Sequence, residues 1–227
     1  MALALGNYTH QIQTPPSPFT SMTFSHTVET GDDVYLLVSL GFDSSAGSSG
    51  VTGMTYGGET MTELGSKEED VGSYTMVWVT YGIFEPEDRG ANDVVVSFNT
   101  EVSRVISRMS QSFTDCGGTG TPLSNPYESG NPIPHSEDIT VDEGSMVYAC
   151  AFTGFTPSTI KIDDSTRTAL FQDNVNTQYV GAFSDTGLSA GIIDVSFATT
   201  WDRITNARIE IKQAGSSPVT RRIFLIS

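Results

Sequence analysis

The chain reads as an all-β protein: a single β-sandwich, jelly-roll-like in connectivity, built from two pseudo-repeated halves. Three observations predict it. First, Val28 to Phe42 (VETGDDVYLLVSLGF) returns without gaps as Val141 to Phe155 (VDEGSMVYACAFTGF). The pairs Val28/Val141, Gly31/Gly144, Val34/Val147, Tyr35/Tyr148, Gly41/Gly154 and Phe42/Phe155 are identical, and Glu29 faces Asp142, so an acid is kept there. Val96-Ser97-Phe98 recurs in the same order as Val195-Ser196-Phe197. Second, apolar residues alternate with a period of two in segment after segment, and no segment shows a convincing 3.6-residue period. Third, charged residues are only 17% of the chain, and Ser, Thr, Gly and Asn fill the gap, a composition suited to strands and turns and poor for helices.

The elements follow in order. Residues 1–20 end in TPPSPF, where Pro15, Pro16 and Pro18 forbid helix and hold the chain extended. This stretch is expected to be an arm, lying on the chain's own domain or on a neighbour. Met22, Phe24, His26 and Val28 share one strand face, with Thr23, Ser25 and Thr27 on the other. Asp33 to Phe42 is almost continuously apolar, which predicts a central strand covered on both faces. DSSAGSSG (43–50) is a Ser/Gly loop, and Gly57-Gly58 in MTYGGETMTEL predicts a tight hairpin, because primed turns need positive φ. KEEDVG (67–72) reads as a loop, Ser73 to Tyr81 as an aromatic strand, and EPEDRGAND (85–93) as an acidic turn. Val94, Val96 and Phe98 then form one face of a strand. From Arg104 to Phe113, Val105, Met109 and Phe113 point one way, and Arg104, Ile106 and Arg108 the other.

Residues 114–137, rich in Gly, Pro, Ser and Asn, are expected to be the irregular seam between the copies, placing the halves at 21–113 and 138–214. In the last strand Ile209 and Ile211 should face inward, with Arg208, Glu210 and Lys212 outward. A C-terminal stretch, 215–227, ends in RRIFLIS, where Arg221-Arg222 precede an unbroken apolar run, a pattern that predicts a strand paired within the domain or added to a partner's sheet edge. Each copy carries about five strands. Such a sheet cannot close a core alone, whereas two face to face can, which gives one sandwich with Gly41 and Gly154 at matching bends; two independent small barrels are the alternative.

The formal charge of −16 offers no basic stripe to neutralise phosphates, and it disfavours docking to anionic membranes, so neither nucleic acid nor membrane is an expected partner. No apolar run of spanning length occurs, and MALALGNYTHQ lacks the regions of a signal peptide, so the chain is expected to stay in the cytosol after synthesis. Two cysteines are no disulfide framework. Cys150 belongs on a buried face with Met146, Tyr148 and Phe152, and Cys116 in a Gly-rich loop.

Candidate chemistry is sparse. Carboxylates cluster at Glu68-Glu69-Asp70, at Glu85/Glu87/Asp88 and at Asp163-Asp164, among turn-like polar neighbours. They read as solvated turns; a glycosidase pair or a calcium site is the alternative, but no D-x-[DN]-x-[DN]-G loop is present. His10, His26 and His135 have no partner at ligand spacing, and no nucleophile elbow or phosphate loop appears. No enzyme activity, metal or cofactor is expected. Trp78, Tyr81, Tyr127 and Trp201 could form a stacking platform for a glycan.

The ordered strings FSHTV, GDDVYLLVSLGF, GMTYGGETMTEL, YTMVWVTYG, VVVSFNT and FTDCGGTGTPL resemble a β-sandwich domain family of bacteriophage structural proteins and large bacterial surface proteins. Tyr56-Gly57-Gly58 and Thr121-Pro122-Leu123 stand at the matching places, and the resemblance covers about residues 22–212. It implies a fold and brings no catalytic residues with it. Together with the missing export signal, it implies a virion component assembled in the host cytoplasm. The expectation is a capsid decoration (cement) protein, a homo-oligomer that docks on the major capsid protein through Pro15, Pro16, Phe19, Arg221, Arg222, Ile223, Phe224 and Leu225. The alternative is a tail, fibre or surface module that binds a carbohydrate.

Overall fold

The computed structural model describes residues 2–14, 17–45, 50–70, 74–102, 106–121, 123–125, 133–153, 159–162, 169–175, 178–185, 188–199 and 204–215. Among them every regular element is a strand, as the composition and the period-two alternation require. The first copy supplies β1 (Ala4–Gln13), β2 (Phe19–Val28), β3 (Tyr35–Ser45), β4 (Val51–Tyr56), β5 (Glu59–Thr60), β6 (Thr62–Asp70), β7 (Tyr74–Phe84), β8 (Gly90–Val102) and β9 (Ile106–Thr114). β10 (Cys116–Thr119) and β11 (Leu123–Asn125) follow. The second copy continues with β12 (Ile133–Val141), β13 (Met146–Thr153), β14 (Thr159–Ile162), β15 (Ala169–Val175), β16 (Gln178–Asp185), β17 (Gly191–Thr199) and β18 (Ile204–Gln213).

The strands form four antiparallel sheets. Sheet I runs β1-β9-β3-β7-β6 and sheet II runs β2-β8-β4-β5; sheet III runs β10-β18-β13-β16-β15 with β11 also on β18, and sheet IV runs β12-β17-β14. Sheet III repeats sheet I, and sheet IV repeats the β2-β8-β4 part of sheet II; the two-residue β5 has no counterpart among the described residues. β10 and β11 run along β18 as β1 runs along β9. The duplication therefore extends well beyond the string that betrays it. One detail of the sequence alignment shifts: Met22 pairs with Val96, while its counterpart His135 pairs with Phe197, not Val195. The two VSF strings lie on equivalent strands displaced by two residues, a slip that keeps every side chain on its proper face.

The all-β sandwich architecture is as the sequence predicts, and its division between the copies is not. Each copy makes both sheets of its own sandwich, and the two sandwiches stack through sheets I and III. The central strand explains why. Leu36, Val38, Leu40 and Phe42 of β3 face Phe24, Met54, Tyr56, Val94 and Val96 of sheet II. The other face of β3, Tyr35 and Leu37, joins Met76, Trp78, Met109 and Phe113 against Met146, Tyr148, Cys150, Ala207, Ile209 and Ile211 of sheet III. An unbroken apolar run fills two cores at once, where alternation would fill one. Tyr35 and Tyr148, equivalent in the repeat, both lie in this shared core. β1 also approaches β15 as β11 approaches β6, so the copies meet through the same face about a pseudo-two-fold axis.

Several local expectations change with this stacking. Arg208 and Glu210 are buried instead of outward, because sheet IV covers the face of β18 that they share. Glu210 is held there by the backbone N–H of Asp142, which donates at 2.6 Å, and by the Ser145 hydroxyl at 2.8 Å. Residues 67–70 belong to β6 and not to a loop, since an edge strand accommodates consecutive charges. Gly41 ends nothing: it sits inside β3 opposite Trp78 and Ser107. The expected seam holds β10, β11 and the start of β12. Residues 4–13 of the expected arm are an edge strand of the chain's own sheet I. The hairpin at Gly57 and Gly58 forms as expected, with φ of 57° and 88°. Residues 216–227 lie outside the described residues.

Candidate functional site

The groups that carry chemistry in the sequence hold the fold together where the structure describes them. Glu29 accepts hydrogen bonds from the Asn7 backbone N–H and, at 2.5 Å, from the Ser112 hydroxyl, tying the β2–β3 corner to β1 and β9. Its repeat partner Asp142 accepts from Lys212 on β18 at 2.8 Å, so the retained acid is a corner tie in both copies. Glu85, with φ of 53°, accepts from the Val34 N–H at 2.5 Å and from Arg89 at 2.7 Å. Glu59 accepts from the Glu87 N–H at 2.9 Å across a small cleft between the Gly57-Gly58 turn and Asp88. Among the described residues no three His, Cys, Asp or Glu side chains converge as metal ligands do. Asp163-Asp164 lie outside the described residues.

Cys116 and Cys150 are both buried and unbridged. Cys116 sits in β10, not in a loop. Burial pushes both thiols up to about 11, which leaves them protonated and poor nucleophiles at neutral pH. His26 lies in the wall of the first sandwich, where burial lowers its imidazole to about 4. Its Nδ1 meets the Thr9 hydroxyl of β1 at 3.1 Å.

The two described residues of the expected glycan platform do not share a face. Trp78 and Tyr81 sit on opposite faces of β7, one in each core, with 1% and 4% of their surface exposed. The Tyr81 hydroxyl donates to Glu63 at 3.3 Å, and burial raises it to about 12. Tyr127 and Trp201 lie outside the described residues. Of the expected docking residues, Phe19 packs edge-on against Phe98 at 5.7 Å and serves the first core. Pro15, Pro16, Arg221, Arg222, Ile223, Phe224 and Leu225 lie outside the described residues.

The first strand, β1, was not expected. Among the described residues it pairs with β9 on one side. None of its ten residues is fully buried. Leu5 and Tyr8 are 39% and 42% exposed, two of the few large apolar side chains that are so exposed among the described residues. Their register partners on β9, Phe113 and Gln111, show that both lie on the face toward sheet III, with His10 stacked parallel to Tyr8 at 5.7 Å. A bulge between Leu5 and Tyr8 is captured from the β9 side: the Gln111 amide donates to the carbonyls of Gly6 and Asn7 at 3.1 and 3.2 Å. Arg108, stacked over Phe24 at 4.3 Å, reaches Gln11. A Cβ on Gly6 would meet the Glu29 carboxylate, so a larger residue there would push that side chain aside. Sequence reasoning missed this strand because the three prolines after it dominate the reading of residues 1–20. The signal was present in the alternation of Leu5, Tyr8, His10 and Ile12 once a one-residue bulge is allowed. No family model, curated protein or solved structure matches the chain.

Proposed function

We propose that this chain is a non-enzymatic structural protein of a bacteriophage virion, a capsid decoration protein that clamps the major capsid protein through its terminal segments. One observation carries the structural half of this reading. The acids the sequence offers as candidate chemistry, Glu29, Glu59 and Glu85, accept backbone N–H groups at corners and turns, which is what a scaffold asks of them. The stacked double sandwich makes a stiff body, and its charge of −16 favours solubility and spacing from like-charged neighbours. The resemblance of the ordered strand motifs to phage structural domains supplies the virion half. Docking falls to Pro15 and Pro16, which precede β2 in the sequence, and to the Arg221–Leu225 run, where the chain's only adjacent pair of basic residues leads into an apolar stretch.

The test is particle composition and reconstitution. Purified protein added to expanded, undecorated capsids should bind at a fixed number of copies per capsid, and a chain lacking residues 219–227 should not. Absence of the protein from purified particles, or binding without saturation, would end this reading.

A further inference from the structure

A single residue joins the two sandwiches, and we infer that the chain opens there and exchanges sandwiches with a second molecule, the first copy of each molecule stacking on the second copy of the other. The inference stands apart from the capsid reading.

β9 ends at Thr114 in sheet I and β10 begins at Cys116 in sheet III, so Asp115 alone carries the chain from one sandwich to the other. It does so with a φ of 56°, in the left-handed region that side chains generally avoid. Hydrogen bonds hold the bend from both sides. The Cys116 N–H donates to the Asp33 carbonyl of the first copy at 2.8 Å, and the Ala214 N–H of the second copy donates to the Asp115 carbonyl at 2.8 Å. Asp33 is itself left-handed, with φ of 52°. With an extended φ at Asp115, the ordinary choice between two strands, β9 and β10 become one continuous strand and the sandwiches part.

Parting uncovers apolar faces on both sheets, with Leu37, Trp78 and Phe113 on sheet I and Tyr148, Cys150 and Ile209 on sheet III. Water is a poor cover for them, and the face that fits each is carried by every other molecule of the chain. A one-residue link has no slack. An opened chain closes on itself only by forming the left-handed bend again, whereas stacking on a second molecule asks for no bend. The exchanged dimer repeats the contacts of the closed chain except those at the bend. The balance between the two forms is therefore set at Asp115 and by protein concentration.

The experiment refolds the full chain from urea over a concentration series and separates monomer from dimer by size. The dimer-to-monomer ratio should rise with refolding concentration, and the isolated dimer should persist on dilution, because closing again requires the shared core to part. Asp115→Gly removes the steric cost of the bend and should lower the ratio at least tenfold. Asp115→Val raises that cost and should raise the ratio at least tenfold. A short Gly-Ser insertion after Asp115 supplies slack and should act as glycine does. All three variants should keep the circular dichroism of the full chain. A full chain that stays monomeric at every refolding concentration overturns the inference, as do ratios indifferent to Asp115.

Ser39→Cys separates exchange from association through an outer surface. The Ser39 hydroxyl of the first copy bonds the Cys150 thiol of the second, so oxidation of this variant closes a disulfide across the shared core. In an exchanged dimer that bond joins two chains. The isolated dimer should then run as a covalent dimer on a non-reducing gel, while the monomer fraction runs as a monomer. A dimer whose chains separate on the gel, each with its own internal disulfide, overturns exchange.

Discussion

Sheet I has two edges, and they differ in nearly every respect that matters to an edge. β6 is charged along its length and rests on β7, whose Met76 and Trp78 lie in the core shared by the two sandwiches. β1 is uncharged and is fastened along its middle by polar groups reaching across from elsewhere: Glu29, Gln111 and Ser112 at the bulge, His26 at Thr9, Arg108 at Gln11. Among the described residues its apolar anchoring is Ile12 near one end and Leu3 just before the other. One edge belongs to the cooperative core and is closed to partners by charge. The other is a separately fastened strand. Hydrogen-bonded segments with few buried apolar contacts open at lower free energy than the core does. The contrast therefore concerns local stability as much as recognition.

The sharpest break in this comparison comes from the β7 side. Trp78→Ala empties the shared core and should cost about 3–5 kcal/mol, the usual range for removing a buried large aromatic. Urea unfolding should show the loss as one shift of the whole transition. Two separated transitions would mean that the sandwiches unfold independently and that sheets I and III do not form a common core.

Acid should act next, and through β1. Unfolded, the His26 imidazole takes up its proton near pH 6.5; folded, burial holds it off until about pH 4. Between those values the unfolded chain binds the extra proton, so stability is complete above about pH 6.5 and falls as the pH drops toward 4, by about 3 kcal/mol in all. His26→Gln, which keeps a hydrogen-bonding group beside Thr9, should flatten that slope. An unchanged slope would place the acid sensitivity elsewhere.

Removing one fastening is gentler. Glu29→Ala leaves the Asn7 N–H and the Ser112 hydroxyl without their acceptor and should cost about 1–2 kcal/mol, reduced from the charged hydrogen-bond range because the site is partly open to water. Its signature is location: amide hydrogen exchange should quicken in β1 while β3 stays protected. Uniform quickening would show that β1 opens only with the whole fold.

Much of this was legible in the sequence, and the unread part has a common cause. Tyr35 to Phe42 and its repeat announced central strands because an apolar run of that length has no solvent face, and Gly57-Gly58 announced its turn because its φ values demand it. The face of β18 was misjudged because clean alternation of Ile209 and Ile211 with Arg208 and Glu210 normally means one wet side. Here sheet IV covers that side, and buried hydrogen bonds make the acid tolerable at 5% exposure. KEED looked like a loop because charge is a poor strand former in isolation. At an edge it is what keeps the strand from pairing with its neighbours. Local pattern reports what one strand can bury, and layer count and edge position are set by segments distant in the chain.

The smallest effect on stability tests the principle behind the comparison. If charge alone closes the β6 edge, then Lys67→Thr/Glu68→Thr should barely change melting, since exposed edge substitutions move stability by about 0.5 kcal/mol or less. Thr is also a good strand former. The same variant should nevertheless open an association surface, because among the described residues no strand pairs with the outer side of β6. Concentration-dependent sedimentation of that variant, beyond what the full chain shows, would establish that edge charge keeps copies apart. Sedimentation no different from that of the full chain would show that β6 is closed by something besides these charges.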